Sequence, residues 1–230
     1  MTKNTWSFKF RRNKPIRGKL VTAEEAERAF LAKLDDPNED RQAVKLELVR
    51  IYRSMGKVPD AMRYAEEYLA DNSDSEGEVE VYFTLGQAME KVDDFESGLR
   101  FYLFALELKP ANKFYAYFLF NNIGFSLNHL NRYVEAEEYL REAIAIDESR
   151  SNGYKNLGLS LEGQGRYPEA ARSFIAGVQA NASDPRALRH LEELVERHPE
   201  ILAEMSDLRY LMNMCRQAVV FAASGIVQNN

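Results

Sequence analysis

The sequence predicts an all-α chain of stacked helix–turn–helix units, and three observations carry that expectation. One set of co-spaced residues recurs three times along the chain. Between the recurring positions the apolar residues return every three or four residues, which is the period of one helix face. The composition fits a packed fold: 45% of the 230 residues are hydrophobic, within the ordinary globular range, and 12 Gly with 7 Pro exclude collagen-like and low-complexity architectures.

Residues 1–21 form a basic arm. Lys3, Lys9, Arg11, Arg12, Lys14, Arg17 and Lys19 carry +7 without one acid, so a net charge of −6 leaves −13 on the remainder. In Trp6-Ser7-Phe8-Lys9-Phe10-Arg11-Arg12 the rings would share one side of an extended segment. Three readings stay open for it: a disordered tail, an arm docked on the acidic body, or a contact to nucleic acid or anionic lipid. Bulk charge argues against a nucleic-acid-binding body.

Residues 22–41 read as an N-terminal helix and linker. Thr22 and Glu25 form a capping box. The helix runs through Leu34 with Ala26, Ala29 and Phe30, like the second half of a degenerate repeat, and residues 35–40 break it. A degenerate full copy follows at 42–75, where Leu48-Val49, Tyr52, Gly56, Ala61 and Tyr68 hold the repeat offsets. The acidic stretch from Asp71 to Glu80 reads as a solvated loop and the first turn of a helix.

Three better copies span 79–112, 117–150 and 151–184. They align on Leu85-Gly86, Ile123-Gly124 and Leu157-Gly158. Three residues before each Leu or Ile stands Tyr82, Phe120 or Tyr154. Three after each Gly stands Met89, Leu127 or Leu161, and nine after it Phe95, Tyr133 or Tyr167. Gly98, Ala136 or Ala170 comes twelve after, and Tyr102, Leu140 or Phe174 sixteen after. The small residues let paired helices approach, and the large ones fill the gaps between repeats. Extra residues near Pro110–Phe118 are expected to lengthen a helix. Residues 185–230 read as capping helices. Asp184-Pro185 starts one with Leu188, Leu191, Leu194 and Val195 inward, and His198-Pro199 ends it. Ser206 is expected to cap a last helix through Ala223, with Leu208, Leu211, Met212, Cys215, Val219 and Ala222 as its inner stripe.

This pattern resembles the tetratricopeptide repeat, whose 34-residue unit reads W-x2-L-G-x2-Y, then A-x3-F, then P. The terminal Pro occurs only as Pro110; Glu148 and Ala182 fill its slot elsewhere. The resemblance implies a right-handed α-solenoid and a concave groove that holds extended peptides. The groove residues it implies here are Phe83, Thr84, Gln87, Phe118, Asn121, Asn122, Phe125, Asn128, Asn152, Lys155, Asn156, Leu159, Arg186 and Arg189. Asn122 and Asn156 fall on equivalent slots and resemble an asparagine ladder, since a carboxamide can both donate to and accept from a peptide unit. Lys155, Arg186 and Arg189 would meet an acidic end. The lysine clamp with which some members grip chaperone tails is missing.

No catalytic pattern is legible: the three histidines, His129, His190 and His198, show no metal spacing, and there is no nucleophile elbow or phosphate loop. The chain is expected to use no cofactor or metal and to be no enzyme. Cys215, the one cysteine, cannot form an internal disulfide, and no stretch approaches the ~20 apolar residues of a spanning helix, so a cytoplasmic setting is expected. The expected function is a non-catalytic scaffold for a protein or peptide partner, with homo-oligomers open. A bacterial secretion-type chaperone for a hydrophobic client and a nucleic-acid-associated adaptor working through the arm are the alternatives.

Overall fold

The computed structural model describes residues 22–71 and 75–224. These form twelve helices and no strand. The basic arm, residues 1–21, lies outside the described residues. The chain divides into two compact units, Met1–Leu108 and Lys109–Asn230.

Unit 1 contains α1 (Ala23–Lys33), α2 (Arg41–Met55), α3 (Val58–Ala70), α4 (Ser75–Glu90) and α5 (Phe95–Glu107). Thr22 and Glu25 make the expected capping box: Thr22 N donates to Glu25 Oε2 at 2.9 Å, and Glu25 N donates to Thr22 Oγ1 at 3.2 Å. Asp40 caps α2 by accepting from the Gln42 and Ala43 amides. The α2–α3 and α4–α5 pairs are antiparallel-type hairpins, α2 also packs on α1, and α4 packs on α2 and α3. Their shared core holds Leu48, Val49, Ile51, Tyr52, Ala61, Tyr64, Ala65 and Tyr68, with the Tyr52 and Tyr64 rings stacked at 5.6 Å.

Unit 2 contains α6 (Lys113–His129), α7 (Tyr133–Ile146), α8 (Ser151–Gly163), α9 (Tyr167–Ala180), α10 (Arg186–Arg197), the short α11 (Ile201–Glu204) and α12 (Leu208–Ala223). Here α6–α7 and α8–α9 are the hairpins, and α10 packs on both α8 and α9. Helix α6 begins four residues further ahead of its Ile-Gly pair than α8 does, so the extra residues add about one turn. Pro185 holds the N-cap position of α10, and Asp184 Oδ1, one residue before it, accepts from Arg186 N at 3.1 Å. Leu188, Leu191 and Leu194 are buried, as expected, and Val195 only half-buried. Ser206 does not cap the last helix; Asp207 holds that position, without a side-chain hydrogen bond. Leu208, Met212 and Cys215 turn inward on α12.

The hairpins repeat down to their turns. The same position of each carries a left-handed residue: Gly56 (φ +71°), Asp93 (φ +60°), Asn131 (φ +58°) and Gly165 (φ +75°). Gly, Asn and Asp are the residues that reach this region most cheaply. A left-handed turn at Gly56 marks the α2–α3 hairpin as a member of the series although its sequence is degenerate. The packing repeats too. A Cβ added to Gly158 would overlap the Phe174 ring, one on Gly124 would overlap Leu140, and one on Gly86 would overlap Tyr102. The small residue of the first helix therefore seats the large residue of the second, which is why those two offsets recur together.

Candidate functional site

In each hairpin the first helix carries one stripe that its partner helix leaves uncovered. In unit 2 these stripes belong to α6, α8 and α10, and they converge on a row of carboxamides, rings and cations.

Asn121 is the centre of the row. Asn156 Nδ2 donates to Asn121 Oδ1 at 3.0 Å, and Asn121 Nδ2 donates to Asn122 Oδ1 at 3.1 Å. Asn122 and Asn156 were expected to stand as two open rungs. They are instead 9% and 2% exposed, and linked through Asn121 rather than to each other. The chain runs one way, so it leaves the Asn156 Oδ1 acceptor without a donor at one end. A second set of bonds lies one turn further on. Asn128 Nδ2 donates to the Asn156 carbonyl at 2.9 Å, and Ser160 Oγ donates to Asn128 Oδ1 at 2.7 Å. Together they lock α6 to α8. Gly153 N reinforces the lock by donating to the buried Tyr117 hydroxyl at 3.1 Å, and burial pushes that phenol up to about 12.

Beyond the amides a cavity of about 430 Å³ opens, lined by Phe125, Asn128, His129, Tyr133, Leu159, Glu162, Gly163, Tyr167, Arg197 and His198. Phe125, Asn128 and Leu159 of these belong to the expected groove set. His129 meets the Phe125 ring edge-on at 4.5 Å, and His198 stacks on Tyr167 at 3.6 Å. Arg197 Nη1 lies 2.6 Å from Glu162 Oε1. Burial holds the Glu162 carboxyl above its usual range, with Arg197 and His198 opposing. His129 and Glu162 could have been found from sequence, because they extend the stripes 118–121–125 and 152–155–159 by one more helical step. Arg197 and His198 come from α10, which has no repeat signature to give its register.

The cations divide. Arg186 is tied down: it pairs with Asp184 at 2.6 Å and donates to Asn152 Oδ1 at 2.8 Å. Among the described residues Lys155 and Arg189 take part in no ion pair. Burial lowers the Lys155 ammonium below its usual value; Arg186 and Arg189 push the same way, against Asp184. Phe118 is half-buried beneath the Arg150 guanidinium, 4.9 Å from its ring.

The equivalent stripe of unit 1, on α2 and α4, is built from charge pairs. Arg50 bonds to Glu47 and, through Nε at 2.7 Å, to Glu80. Gln87 accepts from Arg53. Phe83 and Thr84 are buried, with Phe83 against Tyr102 at 6.1 Å. The three expected groove residues of unit 1 are thus engaged in packing or pairing. Among the described residues no cluster of three His, Cys, Asp or Glu side chains could hold a metal ion, and no helix is long and apolar enough to cross a membrane.

Comparison with known proteins agrees with this architecture. Family models described as tetratricopeptide repeat match residues 119–146 and 155–196. The human tetratricopeptide repeat protein 7B is 27% identical over 105 residues, 46% of this chain and 12% of that protein. The small glutamine-rich tetratricopeptide repeat-containing protein 2 of Mycosarcoma maydis is 28% identical over 91 residues, 40% of this chain and 25% of that protein. The chain therefore spans a quarter or less of the curated relatives it matches. Among solved structures, MamA (residues 41 to the end) from Desulfovibrio magneticus RS-1 superposes with a TM-score of 0.60 at 17% identity, covering 84% of this chain and 99% of that one. A further MamA crystal structure gives 0.56 at 23% identity, covering 69% and 88%. The fold and the recurrent positions define a helical repeat scaffold of the kind that works through protein–protein contact. Residues 119–146 and 155–196 carry repeats of the tetratricopeptide type.

Proposed function

We propose that the protein is a non-catalytic interaction module and that the α6–α8–α10 face of unit 2 holds an extended segment of a partner protein. One observation carries this reading. The face combines a ring-lined cavity of about 430 Å³ with two cations, Lys155 and Arg189, that form no ion pair among the described residues. An extended segment would lay apolar side chains against Phe125 and Leu159. Its carbonyls would take the remaining donor capacity of the Asn122 amide, and an acidic side chain or terminus would meet Lys155 and Arg189. The amide row then acts mainly by fixing α6 against α8, so that the face is formed before the ligand arrives and little ordering cost remains.

The test uses a photo-crosslinking residue in place of Phe125, and another in place of the exposed Glu138 on α7, each in the full-length protein in native lysate. Adducts at position 125 that are absent at 138, and that fade in Lys155→Gln/Arg189→Gln, are expected. Equal labelling at both positions would move the partner off this face.

A further inference from the structure

We propose that residues 1–21 dock on unit 1 of the same chain, across the open side of α1, with their cations against the carboxylates of residues 22–40. Three independent observations meet there.

The first is how the acidity is distributed. Residues 22–108 carry 21 acidic and 10 basic side chains, a net of −11, whereas residues 109–230 carry 15 and 13, a net of −2. The complement to the arm's +7 is therefore the unit it is chained to. Within unit 1 the acids crowd its beginning: Glu24, Glu25, Glu27, Asp35, Asp36, Glu39 and Asp40 face only Arg28 and Lys33 in residues 22–40. Glu27 and Glu39 are occupied by Lys57 and Lys33. Among the described residues Glu24, Asp35 and Asp36 take part in no ion pair.

The second is the open side of α1. This helix packs on α2, whereas α3 packs on both α2 and α4. Ala29 and Ala32 lie exposed on α1, with Phe30 and Leu31 half-buried beside them. This is a low apolar strip between Arg28 and Lys33, bounded by carboxylates at both ends of the helix. Trp6, Phe8 and Phe10 are spaced to present their rings on one side of an extended segment, and Lys9 and Arg11 to present charge on the other.

The third is reach. The arm joins at Thr22, the N-cap of α1. Twenty-one extended residues span up to about 70 Å, several times the ~16 Å length of an eleven-residue helix. A segment tethered so closely sits at an effective concentration in the millimolar range, where weak pairs and three rings suffice. Unit 2 offers no such excess of charge. A nucleic acid or an anionic membrane would draw on the same cations, so it would compete with the docked state rather than coexist with it.

Trp6 is the only tryptophan in the chain, so its fluorescence reports the arm alone. In the full-length protein at low salt, short-wavelength emission and weak acrylamide quenching are expected. The quenching constant should rise about twofold or more when 0.5 M salt screens the pairs. Glu24→Gln/Asp35→Asn/Asp36→Asn should expose Trp6 at low salt as salt does, while Glu138→Gln/Glu142→Gln/Glu148→Gln on unit 2 should not. A water-exposed Trp6 at low salt would overturn the proposal. So would shielding that depends on protein concentration, which marks a second copy; shielding that needs added nucleic acid or anionic vesicles; or an equal response to both triple variants. If the first triple variant loses helix, amide hydrogen exchange of Ala29–Lys33 decides instead. It should be slower in the full chain than in a chain lacking residues 1–20, and equal rates would sink the proposal. None of these measurements involves α6, α8 or α10, so their failure leaves the peptide-binding reading untouched.

Discussion

Units 1 and 2 build the same hairpin and finish its uncovered stripe differently. On α2 and α4 the stripe is closed by charge: Arg50 bridges Glu47 and Glu80, and Arg53 holds Gln87. On α6 and α8 it is closed by amides, and the rings of Phe125, Tyr133 and Tyr167 stand around a cavity beside them. A charge-paired wall has spent its interactions on itself, and a ligand would have to break pairs to bind there. An amide wall is also internally bonded, but it is neutral, apolar at its edge, and next to two cations that are not ion-paired. The difference lies between residues at equivalent repeat positions, so the fold does not dictate it. The hairpin supplies the platform, and the stripe decides whether it binds.

The packing is what the units share, so damage to it should be large in both. Ala136 in unit 2 and Ala61 in unit 1 are each 0% exposed at the same repeat offset. Arginine at either position forces a long cation into a helix–helix contact, and several kcal/mol is the expected cost from overpacking and charge burial together. Denaturant unfolding measures it. If Ala61→Arg proved harmless, α2–α3 would not be a true member of the repeat series.

The walls come next in size. Arg50→Ala leaves two half-buried carboxylates facing each other, Glu47 already held above its usual value chiefly by burial. Asn121→Ala strands the Asn156 donor and the Asn122 acceptor. Each should cost about 1–3 kcal/mol of stability, the penalty for buried groups left without partners. Only the second should also weaken a ligand on unit 2. If Arg50→Ala weakened the same ligand at unchanged stability, the contrast between the walls would be wrong.

The helices and their pairing were legible in the sequence because packing imposes spacing. Gly158 must clear Phe174, and that need recurs at Gly124 with Leu140 and at Gly86 with Tyr102. The candidate site was legible only as a list of positions. Spacing put Asn122 and Asn156 on one face but could not say that Asn121, one residue away, would bridge them, because that depends on how three amides orient. Nor could it tell Arg186, held by Asp184 and Asn152, from Arg189, which forms no ion pair. The far wall of the cavity was missed because Arg197 and His198 lie past the last repeat, where no periodic partner fixes the register.

Acid should separate the units as well. The Arg186 side chain bonded to Asp184, with help from Ser151 and the Arg186 amide, holds the Asp184 carboxyl well below the usual carboxylate range. A depressed carboxylate adds stability above its unfolded pKa of about 3.9, and the gain is lost as pH falls through the lower folded value. Asp184→Asn should therefore be less stable than the wild type at neutral pH, and the gap should narrow steadily below about pH 4. Thermal melts of both proteins across pH 2–7 on the order of one-unit steps would measure it. A gap that widened in acid would mean that Asp184 is not ion-paired in solution.

The smallest expected effect discriminates best between a wall that binds and one that only packs. Arg189 is exposed on α10, and Arg50 is half-buried on α2. Removing Arg189 as Arg189→Gln breaks no ion pair, so stability should stay within about 0.5 kcal/mol of the wild type. The same substitution takes away a cation that also lowers the Lys155 ammonium, so the Lys155 pKa should rise when Arg189 is gone. Binding of an acidic peptide should weaken by about 0.2–1 kcal/mol, up to roughly fivefold, as for other exposed charge pairs. The loss should shrink in high salt, where the wild type is itself weakened. A calorimetric titration of both proteins with a crosslinked partner's own segment, at two salt concentrations, reads affinity and salt dependence together. A peptide bound equally tightly by both proteins at low salt would leave the cations of unit 2 without a ligand role. The cavity at Phe125 and Leu159 would then have to carry recognition alone.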